Sequence, residues 1–546
     1  MNRKNLPLKW WQNAVIYQIY PRSFMDSNND GIGDLNGIIE KLDYLNDGTP
    51  ESLGVDAIWL SPFNPSPMKD FGYDIADYCD VDPMFGDLAA FDRLLNEAHK
   101  RSMKVIIDWV PNHTSDQHPW FVESRSSRDN PKRDWYIWRD AKPNGSLPNN
   151  WGSFFGGPAW TFDQKTGQFY LHQFVSEQPE LNWRNPDLRL AMLDTLRFWL
   201  KRGVDGFRMD VVGLIIKDKE LRDEPVNLQA NPHLPDNDIF NRLHHIYSMD
   251  QDEVHQAVRE IRAVLDEFDD RCGNGELWGD LPRWVKYYGE NGDELQLPFN
   301  FRLMWEPWHA NAMRKSVETM ETALPEFAWP NYVLGNHDQP RLATRFGGQA
   351  QARLACMMLL TLRGTPTLYY GDELGLENGS ISTEKIQDPQ GKNLGAERTR
   401  DMSRTPMQWD ASSQAGFSNV DPWLPISADF KTRNVTNQVQ ETTSMLNLYR
   451  QLIRIRANNA SLQAGSFHAL DVEAEDCFVY IREYEQEKHI IALNFSAEER
   501  VVSILQDKST NQIVLSTHLD RNGRVHNNKL KLRPYEGVIL LEASQS

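Results

Sequence analysis

The sequence predicts an α/β protein: a (β/α)8 TIM barrel with a subdomain inserted after strand 3 and a C-terminal antiparallel β domain. Three observations carry that prediction. At 546 residues the chain exceeds one ordinary core. Helical stretches alternate with short strands along most of its length. Those strands are continuous apolar runs with no in-out alternation, which is the mark of a parallel sheet covered on both faces.

Taken in order, DLAAFDRLLNEAHKR sets Phe91, Leu94, Leu95 and Ala98 on one helical face and leads into MKVIIDWV. Residues 109–184 break the rhythm. They are rich in Trp, Asn, Pro and Gly, and AWTFDQKTGQFYLHQF reads as a hairpin turning at 165–167. Next, Asn185 can cap a helix with Pro186 at its first position. Leu188, Met192, Leu196 and Trp199 line one side, Gly203 stops it, and VDGFRMD follows. HQAVREIRAVLDEF runs into GNGELW, where the polar RCGN leaves the start of the fifth strand open. AQARLACMMLL passes through Gly364 into TPTLYY. So many units favour a closed barrel over an open sheet. After the helix SMLNLYRQLIRIR, the short strands CFVYIREY and HIIALNF change the pattern. The assigned domains are therefore a barrel at 1–108 and 185–460, an inserted subdomain at 109–184, and a β-sandwich domain at 461–546.

Net charge is −19, which argues against nucleic acid and anionic membranes as partners, since both need a basic surface. The 18 Trp and 17 Tyr suit either stacking floors for sugars or a core of large side chains. Cys79, Cys272, Cys356 and Cys477 lack disulfide or metal spacing and read as reduced thiols. No apolar run nears membrane-spanning length, and the N-terminal stretch has no signal-like apolar region. A soluble, cytoplasmic monomer or homodimer is the expectation.

DSNNDGIGD, residues 26–34, opens like a calcium loop: Asp26, Asn28 and Asp30 alternate before Gly31. Yet the twelfth position, where a Glu should close the cage, is Gly37. From the residues alone this is either a metal loop of another kind or a solvated acidic turn.

In a barrel, chemistry sits where strands end. Asp108 ends VIIDWVPNH, Asp210 ends GVDGFRMD, Glu276 lies in NGELWGD and Asp338 in LGNHDQPR. A single such acid is as often a helix cap. Four of them, with Arg208, His113 and His337, are harder to dismiss. A retaining glycosidase needs one ionised and one protonated carboxyl roughly 5 Å apart. Arg208, two residues before Asp210 and on the same strand face, should hold Asp210 ionised as nucleophile. Glu276, followed by Leu277 and Trp278, should be the raised, protonated acid.

These stretches, with VIYQIYPRSFMDSNNDGIGDLNGI, GVDAIWLSPF, FGYDIADY, GTPTLYYGDELG and RTPMQWD, resemble the alpha-amylase family of retaining glycoside hydrolases, in its alpha-glucosidase and oligo-1,6-glucosidase branch. The resemblance spans about residues 11–410 in order. It implies Asp210 as nucleophile, Glu276 as acid/base and Asp338 as the third carboxylate. His113, Arg208 and His337 would bind ring hydroxyls. Asp70 and Arg404 would clamp the 4-hydroxyl of a terminal glucose, Tyr73 would stack on that ring, and Phe174 would line the pocket. It also implies a structural Ca2+ or Mg2+ held by Asp26, Asn28, Asp30, the Ile32 carbonyl and Asp34, with water completing the shell, and no organic cofactor. The substrate would be a small oligosaccharide cut from its non-reducing end. Val211 is the residue type that goes with α-1,6 linkages in this branch, with some α-1,4 cleavage expected. Transglucosylation stays open as the alternative. Sucrose isomerisation is disfavoured, because RLATRFG stands where those enzymes carry an RLDRD-type loop. Met357 and Met358 read as core, and His244 and His245 as residues of a surface helix or of local packing and not as metal ligands.

Overall fold

The structure is a computed structural model that describes residues 8–504, 511–525 and 529–542. Eight parallel strands close on themselves: β1 (Ile16–Ile19), β2 (Ala57–Leu60), β3 (Lys104–Trp109), β4 (Gly206–Met209), β5 (Cys272–Gly275), β6 (Leu297–Asn300), β7 (Asn331–Val333) and β8 (Thr365–Tyr369). Each pairs with its sequence neighbours, and Ile16 of β1 stands beside Ala57 of β2 and Thr367 of β8. The strands are buried on both faces, which explains why their sequences show no in-out alternation. Ile16, Trp59, Ile106, Leu297, Phe299 and Val333 fill the barrel.

The helices start and stop where their termini are satisfied. Asp87 accepts the Ala90 N–H ahead of the helix Leu88–Lys100. Asn185 caps Pro186–Arg202, and Gly203, at φ +107°, ends it in the left-handed conformation. The polar fifth strand has a steric cause. A Cβ on Gly273 would come within 2.9 Å of Met209 Cε, and one on Gly275 within 2.3 Å of Leu295 Cδ1. Side chains approach too closely there for apolar bulk.

In the insert, Trp138–Arg139, Trp160–Asp163 and Gln168–Leu171 form a three-stranded antiparallel sheet. The expected hairpin is present, with Gly167 at φ +67° in its turn. At the C-terminus a six-stranded antiparallel sheet begins with Ser466–Leu470, and a two-stranded sheet pairs Arg500–Ser503 with Lys529–Leu532. Val479, Ile490, Val502, Leu530, Val538 and Leu540 make a common core for the two sheets. Arg482, fully buried, ties this domain to the barrel by donating to the Thr361 carbonyl at 2.6 Å. All four cysteines are unpaired. Among the described residues, no helix is long and apolar enough to cross a membrane.

Candidate active site

The strand ends carrying the acids open into one cavity of about 1040 Å3, lined by Asp70, Tyr73, His113, Phe174, Asp210, Glu276 and Asp338 among others. Arg208 stands at its base, wholly buried on β4. Its Nη1 donates to Asp108 Oδ1 and to Asp210 Oδ1, each at 2.7 Å, while Nη2 donates to Glu276 Oε2. One guanidinium fork therefore spans both members of the expected catalytic pair. A shared guanidinium draws the two carboxyls together, the arrangement a retaining pair needs. Val211, next in the chain, sits at φ +37°, costly for a β-branched residue, and its N–H reaches Glu276 Oε2 at 3.3 Å.

This geometry corrects one expectation. Arg208 does not single out Asp210, because it serves Asp108, Asp210 and Glu276 together. Burial raises Asp210 above the ordinary carboxylate range, with Arg208 opposing and the neighbouring acids adding to the rise. Glu276 is raised by the same burial, again against Arg208 and with Asp338. The charge of Glu276 adds to the rise of Asp210, so the titrations of the two acids are linked. Asp108 is pushed up to about 6 by burial, despite Arg208.

Asp338 is the contrast. Burial would raise it, yet His337, Arg400, Arg404 and Arg208 outweigh that and hold it well below the usual range. Arg404 Nη2 donates to Asp338 Oδ1 at 2.9 Å, and its Nε to the His337 carbonyl at 2.8 Å. Arg404 is thus not the partner of Asp70. That partner is Arg400, whose Nη2 lies 2.7 Å from Asp70 Oδ1 and whose Nη1 lies 3.1 Å from Asp338 Oδ1. The two arginines are four positions apart in RTRDMSRTPMQWD. Their shared stretch was the available signal, and the path of the loop decides which one reaches Asp70.

The remaining expected residues converge. His337 is neutral: burial pushes its imidazolium far down, against Asp338, and Tyr73 lies flat on its ring with centroids 5.3 Å apart. The Tyr73 hydroxyl is 2.7 Å from His337 Nε2. His113, lowered to about 3 by burial and by Lys217, is neutral as well. Phe174 packs on it with centroids 5.0 Å apart. Buried Lys217, ion-paired with Glu180 and donating to Asn112 Oδ1, was not foreseen from the sequence. The lining also holds a set of rings, Phe154, Phe240, Trp278, Phe301 and Trp305, beside amides such as Asn227, Gln229, Asn231 and Gln339.

The loop at 26–34 is wound as its spacing suggests. Asp26 accepts from the N–H groups of Asn28, Asn29 and Gly31 and from the Ser418 hydroxyl. Asn28 and Asp30 bond one another, and Asp30 Oδ1 accepts the Ile32 N–H at 2.8 Å. Asp34 caps the next helix through the Gly37 N–H. Gly37 has a steric reason to replace a closing Glu: a Cβ there would lie 2.0 Å from the Met25 carbonyl oxygen. Among the described residues, no three or more His, Cys, Asp or Glu side chains are gathered as a metal site.

The profile of the alpha-amylase catalytic domain matches residues 18–465. The chain belongs to the alpha-amylase family. A second profile, the alpha-amylase SusG C-terminal domain, matches residues 477–539, within the antiparallel β domain. Among relatives in this family, the oligo-1,6-glucosidase of Bacillus cereus is 38% identical, over 97% of this chain and 99% of that one. A probable alpha-glucosidase of Rhizobium meliloti is 42% identical, over 90% of each. Among solved structures, an alpha-glucosyl transfer enzyme superposes with a TM-score of 0.92 at 39% identity, covering 98% of this chain and 100% of that one. An isomaltulose synthase from Erwinia rhapontici NX5 does so at 0.88 and 37%, with the same coverage.

Proposed function

We propose that this alpha-amylase family member is a retaining, exo-acting alpha-glucosidase. It removes terminal non-reducing glucose, α-1,6-linked and to a lesser degree α-1,4-linked, from short oligosaccharides. One observation carries the reading. Asp70 and Arg400, paired at 2.7 Å, line the same cavity as Asp210 and Glu276, and a charged wall beside the acid pair would admit a chain terminus and not a chain middle. The names of the oligo-1,6-glucosidase and alpha-glucosidase relatives agree with it.

In the active protonation state Asp210 is ionised and Glu276 holds the proton. Asp210 attacks the anomeric carbon while Glu276 gives its proton to the departing glycosidic oxygen, leaving a glucosyl–Asp210 ester. Glu276, now ionised, takes a proton from water, whose oxygen attacks the same carbon and releases Asp210. Asp338 stays ionised under Arg400 and Arg404 and favours positive charge developing on the ring. Neutral His113 and His337 bind hydroxyls without adding a cation that would oppose it. The donor set of the 26–34 loop, oxygen atoms only, suits a hard cation such as Ca2+ or Mg2+. Its role would be structural, at a distance from the reacting atoms.

The test follows hydrolysis of isomaltose and maltose by NMR. The first product should be α-glucose, and a maltooligosaccharide blocked at its non-reducing 4- and 6-hydroxyls should resist cleavage. First-formed β-glucose, or ready cleavage of the blocked chain, would overturn the reading. Transglucosylation is the second reading, favoured by the likeness to a glucosyl transfer enzyme and by the rings of the cavity lining. Dominant oligosaccharide formation with little free glucose at high substrate would establish it.

A further inference from the structure

Arg400 is held by more than its partners in the cavity. Its Nε and Nη2 donate to Asp388 Oδ1 at 3.0 and 2.7 Å, and its own N–H donates to Asp388 Oδ2 at 2.7 Å. Asp388 is fully buried and does not line the cavity, whereas Arg400 does. The arrangement is reciprocal. Asp401, next to Arg400, turns its Oδ2 back to the N–H groups of Gln387 at 2.6 Å and Asp388 at 3.1 Å. Two buried carboxylates thus buckle the two ends of the 388–401 segment, each accepting backbone N–H groups from the other's end. Phe155 supports the guanidinium from one face, with its ring centroid 4.8 Å away. Without Asp388, two of the three guanidinium nitrogens would lose a bond, and Arg400 would keep only Asp70 and Asp338, both in the cavity wall.

We propose that Asp388 is a positioning residue: it orients Arg400, through the buckle closed by Asp401, so that the Asp70–Arg400 wall stands across the end of the glucose site. The inference rests on the reading of that wall as the element that makes the enzyme exo-acting. Asp388 touches no substrate, so it acts on end selectivity through Arg400. A carboxylate is required because it must accept several N–H groups and balance the guanidinium in a buried place.

The experiment compares wild type with Asp388→Asn and Asp388→Glu on isomaltose, maltose and the end-blocked maltooligosaccharide, with circular dichroism melting of each. Asp388→Asn should lower kcat/KM on isomaltose by on the order of 100-fold, mostly through KM, since a positioning error of about 1 Å has that scale. The ratio of blocked-chain to free-chain cleavage should rise by about tenfold or more as the wall loosens. Asp388→Glu, which keeps the charge and the fold but moves the oxygens, should fall between the two and serves where Asp388→Asn does not fold. Unchanged kinetics in either soluble variant, or a fall in kcat and melting temperature with no change in the blocked-to-free ratio, would overturn the assignment. Cleavage of the blocked chain by the wild type would instead overturn the exo reading itself, so the two failures are distinct.

Discussion

The two ends of the cavity are built on opposite principles. At the inner end, Asp70, Arg208, Glu276, His337, Asp338, Arg400 and Arg404 form a network in which carboxylates meet guanidinium groups at hydrogen-bond distance. The outer end is a column of rings: Phe174 on Phe154 with centroids 4.9 Å apart, Phe154 on Phe240 at 3.8 Å and Phe154 near Trp278 at 5.3 Å. There Trp278 is 36% and Trp305 63% exposed. Charged hydrogen bonds are directional and unforgiving, so the inner end specifies one sugar in one pose. Apolar rings offer area without fixed direction, so the outer end can accept different leaving groups and acceptors. On the proposed function, the charges would fix the chemistry and the rings would set the breadth of substrate.

The strongest way to break this contrast is to remove a charge from the inner end. Asp210→Asn should lower kcat on isomaltose by about 10^4-fold or more, measured with enough enzyme to detect residual turnover. Its melting temperature should not fall, because one of several mutually repelling acids leaves a buried site while Arg208 keeps Asp108 and Glu276. A variant within tenfold of wild type would remove Asp210 from its role.

Next in size is the effect of pH and of the guanidinium fork. Activity needs one proton on the Asp210–Glu276 pair. As pH falls, Asp210 is protonated and the rate drops; as pH rises, Glu276 loses its proton and the rate drops again. Burial raises both groups, so both limbs should lie above the ordinary carboxylate range. The histidines stay neutral across that window, since His113 is lowered to about 3 and His337 also far down. Arg208→Lys, which keeps one charge but cannot span both carboxylates, should cost on the order of 100-fold in kcat and displace the limbs. A kcat/KM profile with its acid limb at the position of a free carboxylate would contradict this account.

At the outer end the effects should be small. Trp278→Ala should change KM for oligosaccharides by about two- to tenfold with kcat nearly constant, the range a stacking contact supplies. It should also shift the balance between hydrolysis and transfer at high sugar. A large loss of kcat would place Trp278 in the chemistry instead. Smallest of all, chelation should lower the melting temperature by about a few degrees and leave the rate at moderate temperature unchanged. An unchanged melting curve would count against an ion in the 26–34 loop.

Much of this was legible in the chain, and the misses are specific. Asn185, Pro186 and Gly203 announced a helix with both ends, and those ends lie at those residues. The apolar strands announced a covered parallel sheet. CGNG hid a strand because its glycines answer to Met209, Leu265 and Leu295 across the fold. Gly37 read as a missing ligand until the Met25 carbonyl showed that no side chain fits there.

Sequence alone determined the barrel, the order of its units and the acids at the strand ends. Periodicity, caps and strand termini are properties of near neighbours in the chain, so they can be read without folding it. Only the tertiary structure decided that Arg400, and not Arg404, meets Asp70, and that Arg208 is shared among three carboxylates. Those choices depend on where a loop carries its side chains, on burial, and on the sum of charges drawn from distant segments, and none of these is a property of the local sequence.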